Sequence, residues 1–320
     1  MIKIGVVGLG AMGQHHARVF SQLGCELVGV ADVNLEKARE VGGMYKTRYY
    51  SDYAELVSKV DAVSIVVPTT LHWRIAKEFI EHGVHCLVEK PIAPTMKEAS
   101  EMVLAARNNN VKLMVGHIER FNPAVTNLKQ LIDKSALGEL IQISTRRVGP
   151  FAPRIRDVGI IVDSATHDID IIRYLLNSEP TGIFSKFGRL QHEKEDHAVI
   201  VLDFDKVTAC IEVNWFSPHK VRTLVATGSK GTAYLDYIEQ TLTVHNSHNL
   251  DVKIEKAEPL NLELEHFLKC VETDSQPLVD GFQGMKVLEI ALEASKSKAT
   301  SLPLCSPNLK IKGMIASGRK

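Results

Sequence analysis

Gly8-Leu9-Gly10-Ala11-Met12-Gly13 follows the β-branched run Ile4-Gly5-Val6-Val7 directly and opens a helical segment that reaches Leu23. Few arrangements constrain a chain more. Gly8 permits the tight turn, Gly10 lets a phosphate approach the backbone, and Gly13 lets the helix pack on the strand. The helix start then presents unpaired N–H groups and a positive dipole end to an anion. Asp32 ends the next strand-like run, Glu26 to Ala31, 19 residues after Gly13. A carboxylate there can bind ribose hydroxyls and would repel a 2′-phosphate. Val33-Asn34 offers no arginine to receive such a phosphate, so NAD is expected rather than NADP. Gly8, Gly10, Ala11, Met12, Gly13 and Asp32 form the expected cofactor-binding set.

The alternation begun there continues. Apolar runs at 62–67, 85–88 and 112–115 are separated by helical spacing at 70–82 and 95–109. Strands alternating with helices predict βαβ units and a doubly wound parallel sheet, the Rossmann arrangement. Beyond residue 120 the pattern changes. Segments 182–190, 198–204, 207–213, 221–227 and 232–236 read as consecutive strands, and helices return only at 262–271 and 282–299. That order predicts an α+β domain with a mostly antiparallel, open-faced sheet, which a second subunit would cover in a homodimer or homotetramer. The expected division is a Rossmann domain over 1–120 and a substrate-binding and oligomerisation domain over 121–320. A chain of 320 residues suits two cores. Lys310 to Lys320 reads as a basic, loose tail.

Bulk properties narrow the partners. Lys+Arg and Asp+Glu both number 38, so no overall field favours nucleic acid or an anionic membrane. The five cysteines are scattered without a Cys-x-x-Cys pair, which predicts reduced thiols, a cytoplasmic setting and no metal site. No apolar stretch approaches the roughly 18 residues of a membrane span.

Three further groups stand where an open α/β sheet binds ligands, at carboxyl ends of strands. Glu89-Lys90-Pro91 follows the fifth strand, and Lys90 there can stabilise an ionising hydroxyl; a surface charge pair before a turn is the plain alternative. His117, Arg120 and Asn122 follow the sixth strand and are substrate-binding candidates, although Asn122 before Pro123 also makes a helix cap. Asp163 and His167 stand four apart and would share one helix face, the carboxylate raising the imidazole's basicity. A capping aspartate with a surface histidine explains the same spacing.

Taken together with Val67-Pro68-Thr69-x-x-His72 and Arg120-Phe121-Asn122-Pro123, these motifs appear in the order of one family. The chain resembles the glucose–fructose oxidoreductase / inositol dehydrogenase (Gfo/Idh/MocA) family over essentially its whole length. The resemblance implies an NAD-dependent dehydrogenase with Lys90, Asp163 and His167 as catalytic residues and a Lys-Pro bond able to be cis. It also implies that Glu89 lies near the nicotinamide and that Thr69 and His72 line the cofactor. Thr69 stands where many members carry asparagine, and Ala165 where glycine is commoner.

Arg146, Arg147, Arg154 and Arg156 crowd 11 residues just before Asp163. Guanidinium forks suit phosphate oxygens, so Arg154 and Arg156 are expected to bind a diphosphate. The segment is similar to the branch of the family that oxidises the C3 hydroxyl of UDP-N-acetylglucosamine. Ion pairing of those arginines within the protein, a polyol or simple-sugar substrate, and a non-enzymatic sensor of nucleotide or sugar remain open alternatives.

Overall fold

The computed structural model describes residues 1–151, 158–246 and 249–296. Its first part is built from β1 (Lys3–Val7), α1 (Ala11–Phe20), β2 (Glu26–Ala31), α2 (Leu35–Met44), β3 (Arg48–Tyr50) and α3 (Ala54–Val57). β4 (Ala62–Ile65), α4 (His72–Glu81), β5 (His85–Glu89), α5 (Met96–Asn108) and β6 (Leu113–Gly116) complete it. The strands form one parallel sheet in the order β3-β2-β1-β4-β5-β6. Every residue of β4 and β6 is buried, as expected of strands with helices on both faces. Side-chain caps fix the helix starts. Asn34 accepts the Lys37 amide, and Thr95 and Glu98 form a capping box.

The glycine turn is held by sterics. Gly8 has φ +90°, and a Cβ on it would meet the Val66 carbonyl oxygen at 2.4 Å. A Cβ on Gly13 would lie 1.8 Å from the Gly8 carbonyl oxygen, whereas one on Gly10 would meet nothing within 4 Å. Gly8 and Gly13 are therefore packing glycines, and Gly10 leaves open space.

The second part holds α6 (Pro123–Asp133), β7 (Leu140–Pro150), a π-helical turn (Ile161–Ala165) and α7 (Thr166–Leu176). β8 (Gly182–Gly188), β9 (His197–Phe204), β10 (Val207–Asn214), β11 (Phe216–Gly228), β12 (Gly231–Asp236), β13 (Thr241–His245) and β14 (Asn249–Asp251) follow. They make a sheet ordered β14-β13-β12-β11-β7-β10-β9-β8. It is mixed: β7 and β10 pair in parallel and the other neighbours are antiparallel. α6, α7 and α9 (Gly281–Ala294) pack on one face. On the other face Phe184, Val199 and Tyr234 are exposed, interleaved with threonines at 208, 223, 227 and 232.

Two elements depart from the sequence reading. β7 runs through Arg146 and Arg147, so these residues belong to a strand rather than a loop. The last helices also return to the first sheet. Leu260, Leu264 and Phe267 of α8 (Pro259–Glu272) are buried in the core of the parallel sheet. α9 contributes to both cores, Leu288 to the first and Val287, Ile290 and Ala291 to the second. Among the described residues no helix is long and apolar enough to cross a membrane.

Because the added methyl of Gly13→Ala must displace backbone, this variant should lose about 1–3 kcal/mol, the scale of overpacking. Urea denaturation measures it, and a midpoint equal to that of the native chain would contradict the packing account.

Candidate active site

The carboxyl ends of β1, β2, β4 and β5 surround a pocket of about 550 Å³. Gly8, Gly10, Ala11 and Met12 line its centre, Asp32 one end, and Glu89, Lys90 and Asp163 the other. β2 and β5 are three strand spacings apart in the sheet order, which separates the two ends by about 14 Å. The residues fit a dinucleotide. Gly10 leaves space for a pyrophosphate at the start of α1, whose cap position makes no side-chain bond. Asp32 accepts the Leu9 amide on Oδ2 at 2.7 Å and the Asn34 amide on Oδ1 at 2.9 Å. That brace fixes the carboxylate beside the turn with acceptor capacity left for ribose hydroxyls. Lys37, Ser51, Tyr53 and Arg74 also line this pocket. No motif in the sequence marks them, because they arrive from three separate places: α2, the turn between β3 and α3, and α4.

Lys90 and Asp163 meet. The Lys90 ammonium donates to Asp163 Oδ1 at 3.2 Å and to the Asp163 carbonyl oxygen at 2.6 Å. The Lys90–Pro91 peptide is cis. Asp163 also accepts the Ser164 hydroxyl at 2.9 Å. The expected Asp163–His167 pairing is corrected here: the bonds described for Asp163 go to Lys90 and Ser164, and His167 Nδ1 finds no partner among the described residues. Asp163 lies in the π-helical turn and directs its carboxylate to the Lys90 ammonium instead. The expected rise in basicity is reversed as well. Burial, then the charges of Lys90 and Arg147, push His167 well below the usual histidine range. His167 is thus neutral at pH 7, with an unsatisfied ring nitrogen next to a cation.

Other expected site residues lie deeper. Thr69 and His72 are buried behind the pocket wall; His72 Nδ1 is 3.0 Å from the Pro91 carbonyl oxygen and Nε2 2.9 Å from that of Val67. His72 thereby ties the segment after β4 to the Lys90-Pro91 turn, and neither residue lines the pocket. Gly13 is likewise a packing residue. Arg120 is 4% exposed and grips Asp170 with two bonds of 2.8 and 2.6 Å. Asn122 caps α6 through the Ala124 amide and donates to the Tyr237 carbonyl oxygen. His117 is buried with neither ring nitrogen partnered among the described residues; burial, helped by Arg120 and Lys90, pushes it down to about 4. Arg120 and Asn122 thus anchor α6 and α7, where the sequence reading placed them on substrate.

The arginine-rich segment divides. Arg147 is buried against Asp168 (2.9 Å) and Glu119 (3.0 Å), with Tyr237 beneath its guanidinium. Arg146 pairs with Glu212 across the sheet at 3.1 Å. Arg154 and Arg156 lie outside the described residues. One cation the sequence reading missed, Arg222 on β11, stands among Arg147, Glu119, Asp168 and Asp163. It is 42% exposed, with a loose 4.0 Å pair to Glu119.

A parallel sheet bearing this glycine turn, with a second sheet domain contributing to one end of its pocket, defines a two-domain NAD-dependent dehydrogenase. The oxidoreductase family profile with an NAD-binding Rossmann fold matches residues 2–117, and the GFO/IDH/MocA C-terminal domain matches 125–234. The chain belongs to the Gfo/Idh/MocA family. It is 29% identical to UDP-N-acetylglucosamine 3-dehydrogenase of Acidithiobacillus ferrooxidans, over 91% of this chain and 96% of that one. It is 30% identical to scyllo-inositol 2-dehydrogenase (NAD(+)) of Bacillus subtilis, over 95% and 96%. A solved structure of the Acidithiobacillus enzyme matches with a TM-score of 0.87 at 29% identity, covering 92% of this chain and 96% of that one.

If Arg120 is an anchor, Arg120→Met leaves Asp170 buried without its counter-charge and should cost about 3–5 kcal/mol. Chemical denaturation reads this directly. A loss under about 1 kcal/mol would return Arg120 to the list of substrate contacts.

Proposed function

We propose that this dehydrogenase oxidises a sugar hydroxyl, and that its substrate is UDP-N-acetylglucosamine, oxidised at C3 to the 3-keto sugar nucleotide. The observation that carries the chemistry is the Lys90–Asp163 contact with neutral His167 alongside. Asp163 fixes the direction of the Lys90 ammonium, which donates to the substrate oxygen and stabilises the negative charge developing there. The half-buried His167 imidazole accepts the hydroxyl proton on its other nitrogen, Nε2. Bound NAD supplies the hydride acceptor. Support for the sugar nucleotide comes from the Acidithiobacillus relative, from Arg154 and Arg156, and from Arg222, which takes the place in this reading of the internally paired Arg146 and Arg147.

Oxidation of a free polyol is the second reading. The Bacillus relative favours it, and so does the engagement of Arg146 and Arg147 in pairs within the protein. Turnover with NAD on UDP-N-acetylglucosamine, free N-acetylglucosamine and inositol separates the two. We expect kcat/KM for the nucleotide sugar to exceed the others by about 100-fold or more, because remote binding energy orients the hydroxyl. More efficient inositol turnover would decide for the polyol. Lys90→Ala and His167→Ala should each lower kcat by about 10²-fold or more.

We further propose a homodimer or homotetramer joined through the sheet face that carries Phe184, Val199 and Tyr234. Light scattering at micromolar concentration should return at least twice the chain mass. A monomeric mass would refute this assembly.

A further inference from the structure

We propose that Glu89 sets the charge of the cofactor pocket: its carboxylate favours the oxidised, cationic nicotinamide over the neutral reduced ring, and His16 with Ser64 holds it there as a positioning pair. The inference rests on NAD as the cofactor and is independent of the sugar assigned above.

His16 on α1 is fully buried and bridges two elements of the parallel sheet. Its Nδ1 is 2.8 Å from Ser64 Oγ on β4, and its Nε2 is 3.2 Å from Glu89 Oε1 at the end of β5. When Nε2 donates to Glu89, Nδ1 accepts the Ser64 hydroxyl, so one ring proton satisfies both nitrogens. Ser64 is also fully buried, and neither residue lines the pocket. Their one outlet is Glu89, which is 12% exposed and does line it. The other carboxylate oxygen accepts the Lys90 amide at 3.0 Å. β6 makes room for the group: a Cβ on Gly116 would come within 3.1 Å of the Glu89 carboxyl. Burial opposes ionisation of Glu89, but the His16 hydrogen bond and the charge of Lys90 outweigh it and hold the carboxyl below its usual range.

A fixed negative charge at this place answers a specific electrostatic problem. The ammonium of Lys90 occupies the same end of the pocket, where it would disfavour a second cation. Oxidised nicotinamide is a cation and the reduced ring is not. Glu89, adjacent in the chain and bonded to the Lys90 amide, offsets the ammonium without neutralising it. The pocket can then keep a cation for the substrate oxygen and still accept the oxidised ring.

Calorimetric titration of the full chain with NAD+, NADH and ADP-ribose tests the assignment. Glu89→Gln should weaken NAD+ by about tenfold or more while NADH and ADP-ribose, which lack the ring charge, stay within about threefold. His16→Leu should move the NAD+/NADH affinity ratio in the same direction by a smaller factor. An equal loss for all three ligands would mean that Glu89 only shapes the pocket, and would overturn the proposal. Should Glu89→Gln fail to fold, the His16→Leu ratio decides, and an unchanged ratio there is equally fatal.

Discussion

The site depends on two buried guanidinium–carboxylate locks. Arg120 holds Asp170, and Arg147 holds Asp168 and Glu119, all of them nearly out of solvent. Charges are expensive to bury singly, so these pairs form only in one geometry. That geometry fixes the rotation of α7 over the end of the parallel sheet. His167 precedes Asp168 directly and inherits its direction from it. Asp163, one turn earlier, is brought to Lys90 by the same placement. The placement of Asp163 and His167 is therefore determined largely by ion pairs whose members do not line the pocket.

The electrostatics of the neighbourhood follow from those locks. Burial, and with it the positive charge of Lys90, Arg147 and Arg222, keeps the His167 imidazole neutral. Carboxylates gather on the other side. Glu89, Glu119 and Asp170 press on Glu263 of α8, whose buried carboxyl is driven well above the usual range by burial and by those neighbours. Both effects favour the protonated form of Glu263.

The parallel sheet was legible because each of its signals is local. Gly8, Gly10 and Gly13 carry the turn within six residues, Asp32 follows at a fixed interval, and Lys90 stands where a strand ends. Pairings between distant segments left no such mark. Arg120 and Asp170 lie 50 positions apart, and nothing in either motif says that they meet. Arg120 was thus read as a substrate contact. The π turn that holds Asp163 was equally hidden, since its sequence has ordinary helical spacing. β7 escaped notice because its arginines resemble a basic loop until Asp168, Glu119 and Glu212 supply their partners.

The return of α8 and α9 to the first sheet bears on how such chains can recombine. The chain leaves the parallel sheet at β6 and builds an entire second sheet before Leu260, Leu264 and Phe267 complete the first core. A crossover between two relatives near residue 120 would join one parent's sheet to the other parent's closing helix. The exchangeable unit is the second sheet with its flanking helices, inserted between β6 and α8; α8 travels with the nucleotide-binding half, and α9, shared by both cores, must match both parents.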